Sequence, residues 1–251
     1  MPATYLSGAG TQLTPRQISI SRAYYPVVGL LIGVMLVGLE RGCREVFPDF
    51  LSAAVLLAAL VAVTRGLHLD GLMDTCDGLF GGFTRERRLE IMRDSQVGAF
   101  GVAGAAVILL VKYGALVSLI GLKEPGVEWS LLLFPMLSRW AMVVALGSFR
   151  YVRSQGLGSP FQEGSMLWPT LLAAVSAAVA AVLLGAIGGA AMLAGATVGA
   201  WALGWIISGR LGGLTGDTYG AINEVVEILA LLAVVAMFPH RWVEPLTELL
   251  G

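Results

Sequence analysis

Charge is what this chain lacks most. Of its 251 residues 13% are Asp, Glu, Lys or Arg, about half the share usual in soluble globular proteins. With a mean hydropathy of +0.80, too few polar side chains remain to cover a soluble surface, and the chain reads as a polytopic membrane protein. Cysteine is nearly absent as well. Cys43 and Cys76 are too few for a disulfide framework and read as packing residues. The formal net charge is −1 with no long basic stripe, so nucleic acid is excluded as a partner. The first twenty residues lack the basic start and apolar core of a signal peptide, which leaves targeting to the first spanning helix. No linker, low-complexity tract or second soluble domain interrupts the chain, so residues 1–251 read as a single integral-membrane domain.

Apolar runs fill the space left by charge. A spanning helix needs about 20 mostly apolar residues, and seven stretches approach this: Ala23–Leu39, Leu51–Thr64, Val97–Gly121, Leu131–Gly147, Leu167–Leu184, Ala190–Ile207 and Ala221–Pro239. The expected fold is therefore all-α, a transmembrane bundle of about seven spanning helices plus a short cytoplasmic interfacial helix. The second stretch is short and lengthens only if its helix runs on toward His68. Between the fifth and sixth, Gly185-Ala-Ile-Gly188-Gly189 suits a tight turn between antiparallel helices. Glycines 29, 33, 101, 104, 195, 199 and 204 read as positions where membrane helices approach closely. With the N-terminus inside, ten arginines (16, 22, 65, 85, 87, 88, 93, 150, 153 and 210) fall on the inner side, and Arg41, Arg44, Lys123 and Arg241 on the outer. That excess predicts a multi-pass protein of the cytoplasmic membrane whose chemically rich segments all face the cytoplasm.

Asp70, Asp74 and Asp77 stand out against this background, in the run Gly66-Leu-His-Leu-Asp70-Gly71-Leu-Met-Asp74-Thr-Cys-Asp77-Gly78. On a helix, spacings of four and seven place all three within an arc of roughly 60°. Two carboxylates about 6 Å apart repel by about 3 kcal/mol at an effective dielectric near 20, so the cluster asks for a divalent cation. Oxygen ligands favour Mg²⁺, Mn²⁺ or Ca²⁺ over zinc. Of six aspartates in the chain only Asp49 lies outside the candidate site, which also takes in Asp94 and Asp217.

Thr84 to Ser95 reads as an interfacial helix capped by Thr84. Its arginines serve either as positive-inside anchors or as forks for a diphosphate, and Arg93 beside Asp94 is the favoured fork. A second acidic segment, Gly212 to Glu227, joins glycines to a helix start suited to phosphate. Within it Asp217 either caps the helix or faces a ligand, while Glu227 precedes a uniformly apolar run. His68 is a candidate base, ligand or structural group; His240 lies on the opposite side. Arg139 interrupts the fourth span and needs a buried acidic partner or a phosphate.

These motifs resemble the adenosylcobinamide-GDP ribazoletransferase family, also called cobalamin synthases. The resemblance rests on Tyr25-Pro26-Val-Val-Gly29, His68 to Gly78, Arg87 to Gly98 with its Arg93-Asp94-Ser95, and Gly213 to Glu227. It implies a late step of vitamin B12 assembly: adenosylcobinamide-GDP and α-ribazole, or its 5′-phosphate, give adenosylcobalamin, or its phosphate, and GMP, with Mg²⁺ required. On this reading Asp70, Asp74 and Asp77 hold metal, and Asp94 completes the metal set or accepts the hydroxyl proton. Arg93, and less directly Arg88, contact the diphosphate, while His68, Arg139, Asp217, Glu224 and Glu227 surround the substrates. Membrane lipid is an expected partner, and a homo-oligomer is compatible with the chain.

The aspartate pattern also resembles the CDP-alcohol phosphotransferases, but Met73-Asp74 stands where that family carries Ala-Arg. A cation-coupled transporter is the alternative of another class. It would place acids at the bilayer midplane and show internal repeats.

Overall fold

The computed structural model describes residues 14–123, 126–153 and 167–237. These are helical almost throughout: α1 (Pro15–Ser21), a 3₁₀ turn (Arg22–Tyr24), α2 (Tyr25–Cys43), α3 (Asp49–Val63), α4 (Leu67–Gly81), α5 (Arg85–Ile91), α6 (Ala99–Gly121), α7 (Gly126–Ser148), α8 (Leu167–Leu211) and α9 (Gly216–Met237). Helices are the form that satisfies every backbone polar group without water, which is what a chain this apolar requires. Among the described residues the one β-pairing is an isolated parallel bridge between Tyr151 and Leu214.

Five helices are long and apolar enough to span a membrane, and a sixth span arises if α3 and α4 count as one broken segment. That count takes α8 once, although two of the seven expected spans lie within it. A straight helix of 45 residues would be about 67 Å long, more than twice the hydrocarbon core of about 30 Å. The chain breaks instead at Ala186 (φ 45°, ψ −126°). There Gly189 meets the carbonyl of Ala181, eight residues earlier and about 12 Å distant in an unbroken helix. The glycine-rich turn expected between the fifth and sixth stretches is this break. His240 and most of the Phe149–Ser165 loop lie outside the described residues.

α7 occupies the centre: 78% of its apolar window is buried, against 33% for α2 and α6. Lipid offers no hydrophobic gain for helix association, so close packing must supply it. A Cβ on Gly29 would stand 2.5 Å from Met136 of α7, and one on Gly33 2.6 Å from Leu132. Of the other expected packing glycines, 101 and 104 seat α4 side chains and 204 seats the Phe149 ring. Gly195 meets no other part of the protein within 4 Å.

The second span does not run straight toward His68. Arg65 (φ 54°) and Gly66 (φ 69°) are both left-handed, a conformation free of cost for glycine alone. The two residues turn α4 by 84° from α3, so the aspartate helix is set nearly across the helix that delivers it.

Candidate functional site

The turned α4 meets the start of α9. A Cβ at Gly71 would fall 2.6 Å from the carbonyl of Asp217, and one at Gly220 would fall 3.0 Å from that of His68. Larger residues at these crossings would hold the two helices apart. The close approach sets the α4 carboxylates beside Asp217, so that Asp74 lies within electrostatic reach of Asp217, Asp70 and Asp77. Asp70 is exposed and Asp74 half-buried.

Asp217 is not the cap of α9. The Thr218 N–H donates to Thr215 Oγ1 (3.3 Å) and the Thr215 N–H to Thr218 Oγ1 (2.9 Å), a reciprocal closure that satisfies the helix start. Asp217 is left for Arg153, whose Nη2 lies 2.8 Å from its Oδ2. The same Nη2 donates to the Met92 carbonyl (3.2 Å), tying the end of α5 to α9. Arg153 entered the sequence reading only as a basic residue at a helix end. Its role is set by a contact across 64 residues of chain, which no local pattern records.

Asp77 is engaged differently from its neighbours. Its Oδ2 accepts the Gly98 N–H and its Oδ1 the Gly101 N–H, both at 2.8 Å. These are free donors at the start of α6, where the positive end of the helix dipole favours a carboxylate. A Cβ on either glycine would run into that carboxylate. Arg88 is also committed: Nε donates to the Gly82 carbonyl (2.9 Å) and Nη1 to that of Arg210 (3.2 Å). Thr84 caps α5 as expected, accepting the Arg87 N–H at 3.2 Å. Arg93 and Asp94 are exposed; Asp94 Oδ1 accepts the Gln96 N–H (3.0 Å), and Asp94 shares a cleft with Asp77, Arg87 and Glu90.

Glu224, Glu227 and Arg139 lie in the bundle interior, in a network whose remaining member is Lys112 of α6. Lys112 Nζ contacts Glu224 Oε2 and Glu227 Oε2, each at 2.6 Å. Glu227 Oε1 accepts from Arg139, from Ser138 Oγ (3.3 Å) and from Asn223 Nδ2 (3.3 Å). Two cations balance two anions. Arg139 thereby has the buried acidic partner its position demanded. His68 lies within electrostatic reach of Glu227, Arg139 and Lys112, and its Nδ1 is buried without a hydrogen-bond partner among the described residues. Lys112 was absent from the sequence reading, although a lone cation inside an apolar stretch of 23 residues was the available signal.

The donor set suits a hard cation. Asp70, Asp74 and Asp217 offer oxygen only, and their mutual repulsion gives a cation something to relieve. Among the described residues no group of three His, Cys, Asp or Glu side chains is gathered closely enough to hold a metal ion.

A family model described as cobalamin-5-phosphate synthase matches residues 3–235. The chain is 40% identical over 223 residues to an adenosylcobinamide-GDP ribazoletransferase of Desulfitobacterium hafniense, covering 88% of each chain. It is 42% identical over 228 residues to one of Syntrophobacter fumaroxidans, covering 90% of each. A third, of Alkalilimnicola ehrlichii, is 43% identical over 219 residues, 86% of this chain and 84% of its own. No solved structure matches. The chain belongs to the cobalamin-5-phosphate synthase family, transferases of cobalamin biosynthesis acting on small-molecule substrates.

Proposed function

Starting from that membership, we propose that the chain joins adenosylcobinamide-GDP to α-ribazole, or its 5′-phosphate, with release of GMP. The observation that carries this reading is the meeting of the α4 carboxylates with Asp217 and Arg153 at the Gly71 crossing. In the reaction a ribose hydroxyl attacks the phosphorus bonded to the cobinamide side. The new O–P bond replaces the bond to GMP, and the hydroxyl proton leaves for a base. Such a transfer asks the protein for positioning and charge compensation rather than covalent help.

Asp70 and Asp74, with Asp217 facing them, would hold Mg²⁺. When bound, Mg²⁺ supplies charge neutralisation to the diphosphate. Arg153 orients Asp217 by direct contact. Arg93, exposed and with no side-chain hydrogen bond or ion pair among the described residues, is available to the leaving phosphate. Asp94 keeps Oδ2 free beside its Gln96 contact and would accept the hydroxyl proton there. Asp77 serves by seating the start of α6 against α4, and the Lys112 network holds α6 and α7 to α9 behind the site. A transporter reading is not favoured, since Lys112, Arg139, Glu224 and Glu227 inside the bundle are paired with one another.

Purified protein given adenosylcobinamide-GDP, ribazole phosphate and Mg²⁺ is expected to form GMP, detected by mass. Absence of GMP from folded protein would end the proposal. The arginine excess supports a site on the cytoplasmic side. Phe83 is 93% exposed in the α4–α5 connection, so Phe83→Cys is expected to react with a membrane-impermeant maleimide only when the inner side is opened. Labelling of intact cells would reverse the orientation.

A further inference from the structure

A second polar chamber lies at the other end of the bundle, where α2 and α6 end and α3 and α7 begin. It has a volume of about 490 Å³ and is lined by Glu40, Arg44, Glu45, Asp49, Lys123 and Glu128 together with apolar Ile120 and Val127. Glu40 is the residue that needs explaining. It is 4% exposed and its Oε2 is buried with no hydrogen-bond partner among the described residues, a costly state for a carboxylate at the edge of a membrane. The nearby arginines act on it only through space, without a hydrogen bond. Arg41 donates two hydrogen bonds to Glu128, from Nε at 2.8 Å and from Nη2, while Arg44 Nε lies 3.7 Å from Glu45.

The missing partner must donate hydrogen bonds to Glu40 and tolerate cations on the same wall. A bare metal ion does neither well: it donates no hydrogen bond, and Arg44 and Lys123 repel it. A primary ammonium has three donors that can reach separate carboxylates, and a phosphate beside it would answer Arg44 and Lys123. The surroundings indicate how such a zwitterion arrives. Val46 and Phe47, which join α2 to α3 beside the chamber, and Phe50 in the first turn of α3 are 73%, 40% and 56% exposed, as suits an apolar rim at the membrane interface.

We propose that this chamber binds the phosphoethanolamine headgroup of a phosphatidylethanolamine lipid, with Glu40 and Asp49 receiving the ammonium and Arg44 and Lys123 the phosphate. The test is native mass spectrometry of the full chain in detergent, titrated with phosphatidylethanolamine and, separately, with phosphatidylcholine of the same acyl chains. Phosphatidylcholine keeps the charges but cannot donate hydrogen bonds, and its binding is expected to be at least about tenfold weaker. Glu40→Gln is expected to weaken phosphatidylethanolamine binding by about tenfold. Asp49→Asn, at a half-exposed position where folding is not at stake, is expected to weaken it severalfold. Equal binding of the two lipids, or wild-type affinity in both variants, overturns the proposal. Displacement of the lipid by an equal concentration of free phosphoethanolamine overturns its assignment to a lipid.

Discussion

Asp74→Asn is expected to remove GMP release almost completely, by roughly a thousandfold or about 4 kcal/mol of transition-state stabilisation, while the protein still elutes as a folded species. Both halves of this expectation come from the surroundings of Asp74. Its carboxylate is half-buried among Asp70, Asp77 and Asp217 with Arg153 nearby, so its charge is the part that would hold a cation. It makes no hydrogen bond or ion pair among the described residues, so the fold loses little with it. Asp77→Asn separates the two effects. There the carboxylate carries two backbone donors of α6, and its loss is expected to cost about 1.5–3 kcal/mol of stability in addition to activity. GMP by mass and melting in detergent, measured on both variants, check the pair. Turnover of Asp74→Asn within a few-fold of wild type would remove that residue from the metal site.

Lys112→Met is expected to destabilise the protein by about 3–5 kcal/mol, the range seen when one partner of a buried ion pair is removed. Lys112 is 1% exposed and holds both Glu224 and Glu227. Without it the one cation left in contact with the pair is Arg139, which reaches Glu227 and leaves Glu224 without an ion pair among the described residues. Adding Glu224→Gln restores the charge balance and is expected to recover most of the loss, which a double-mutant cycle of melting measurements would read. A melting point for Lys112→Met equal to wild type would show that the network does not hold α6 to α9.

How far each of these sites was legible depends on the range over which its cause acts. The aspartates on one helix, the Thr84 cap and the break near Gly185–Gly189 follow from spacing and local backbone preference, which act within a turn or two. Asp77 shows the limit. Its spacing matches that of Asp70 and Asp74, yet it faces two amides 21 and 24 residues away. Arg88 looked like a phosphate fork and instead holds two carbonyls. Glu224 and Glu227 read as substrate ligands because their partner, Lys112, lies 112 and 115 residues away on a helix whose apolar sequence gives no hint of which way that side chain points.

Composition and spacing were enough to read an all-helical membrane bundle, and its acidic motifs enough to see the resemblance to the family whose model matches residues 3–235. Hydropathy and short-range spacing are properties of the chain before it folds. Tertiary structure alone decided which acids are free for a cation and which are already neutralised. That distinction depends on Coulomb and hydrogen-bond contacts of a few ångströms between helices distant in sequence, and on an 84° turn that carries α4 to the start of α9.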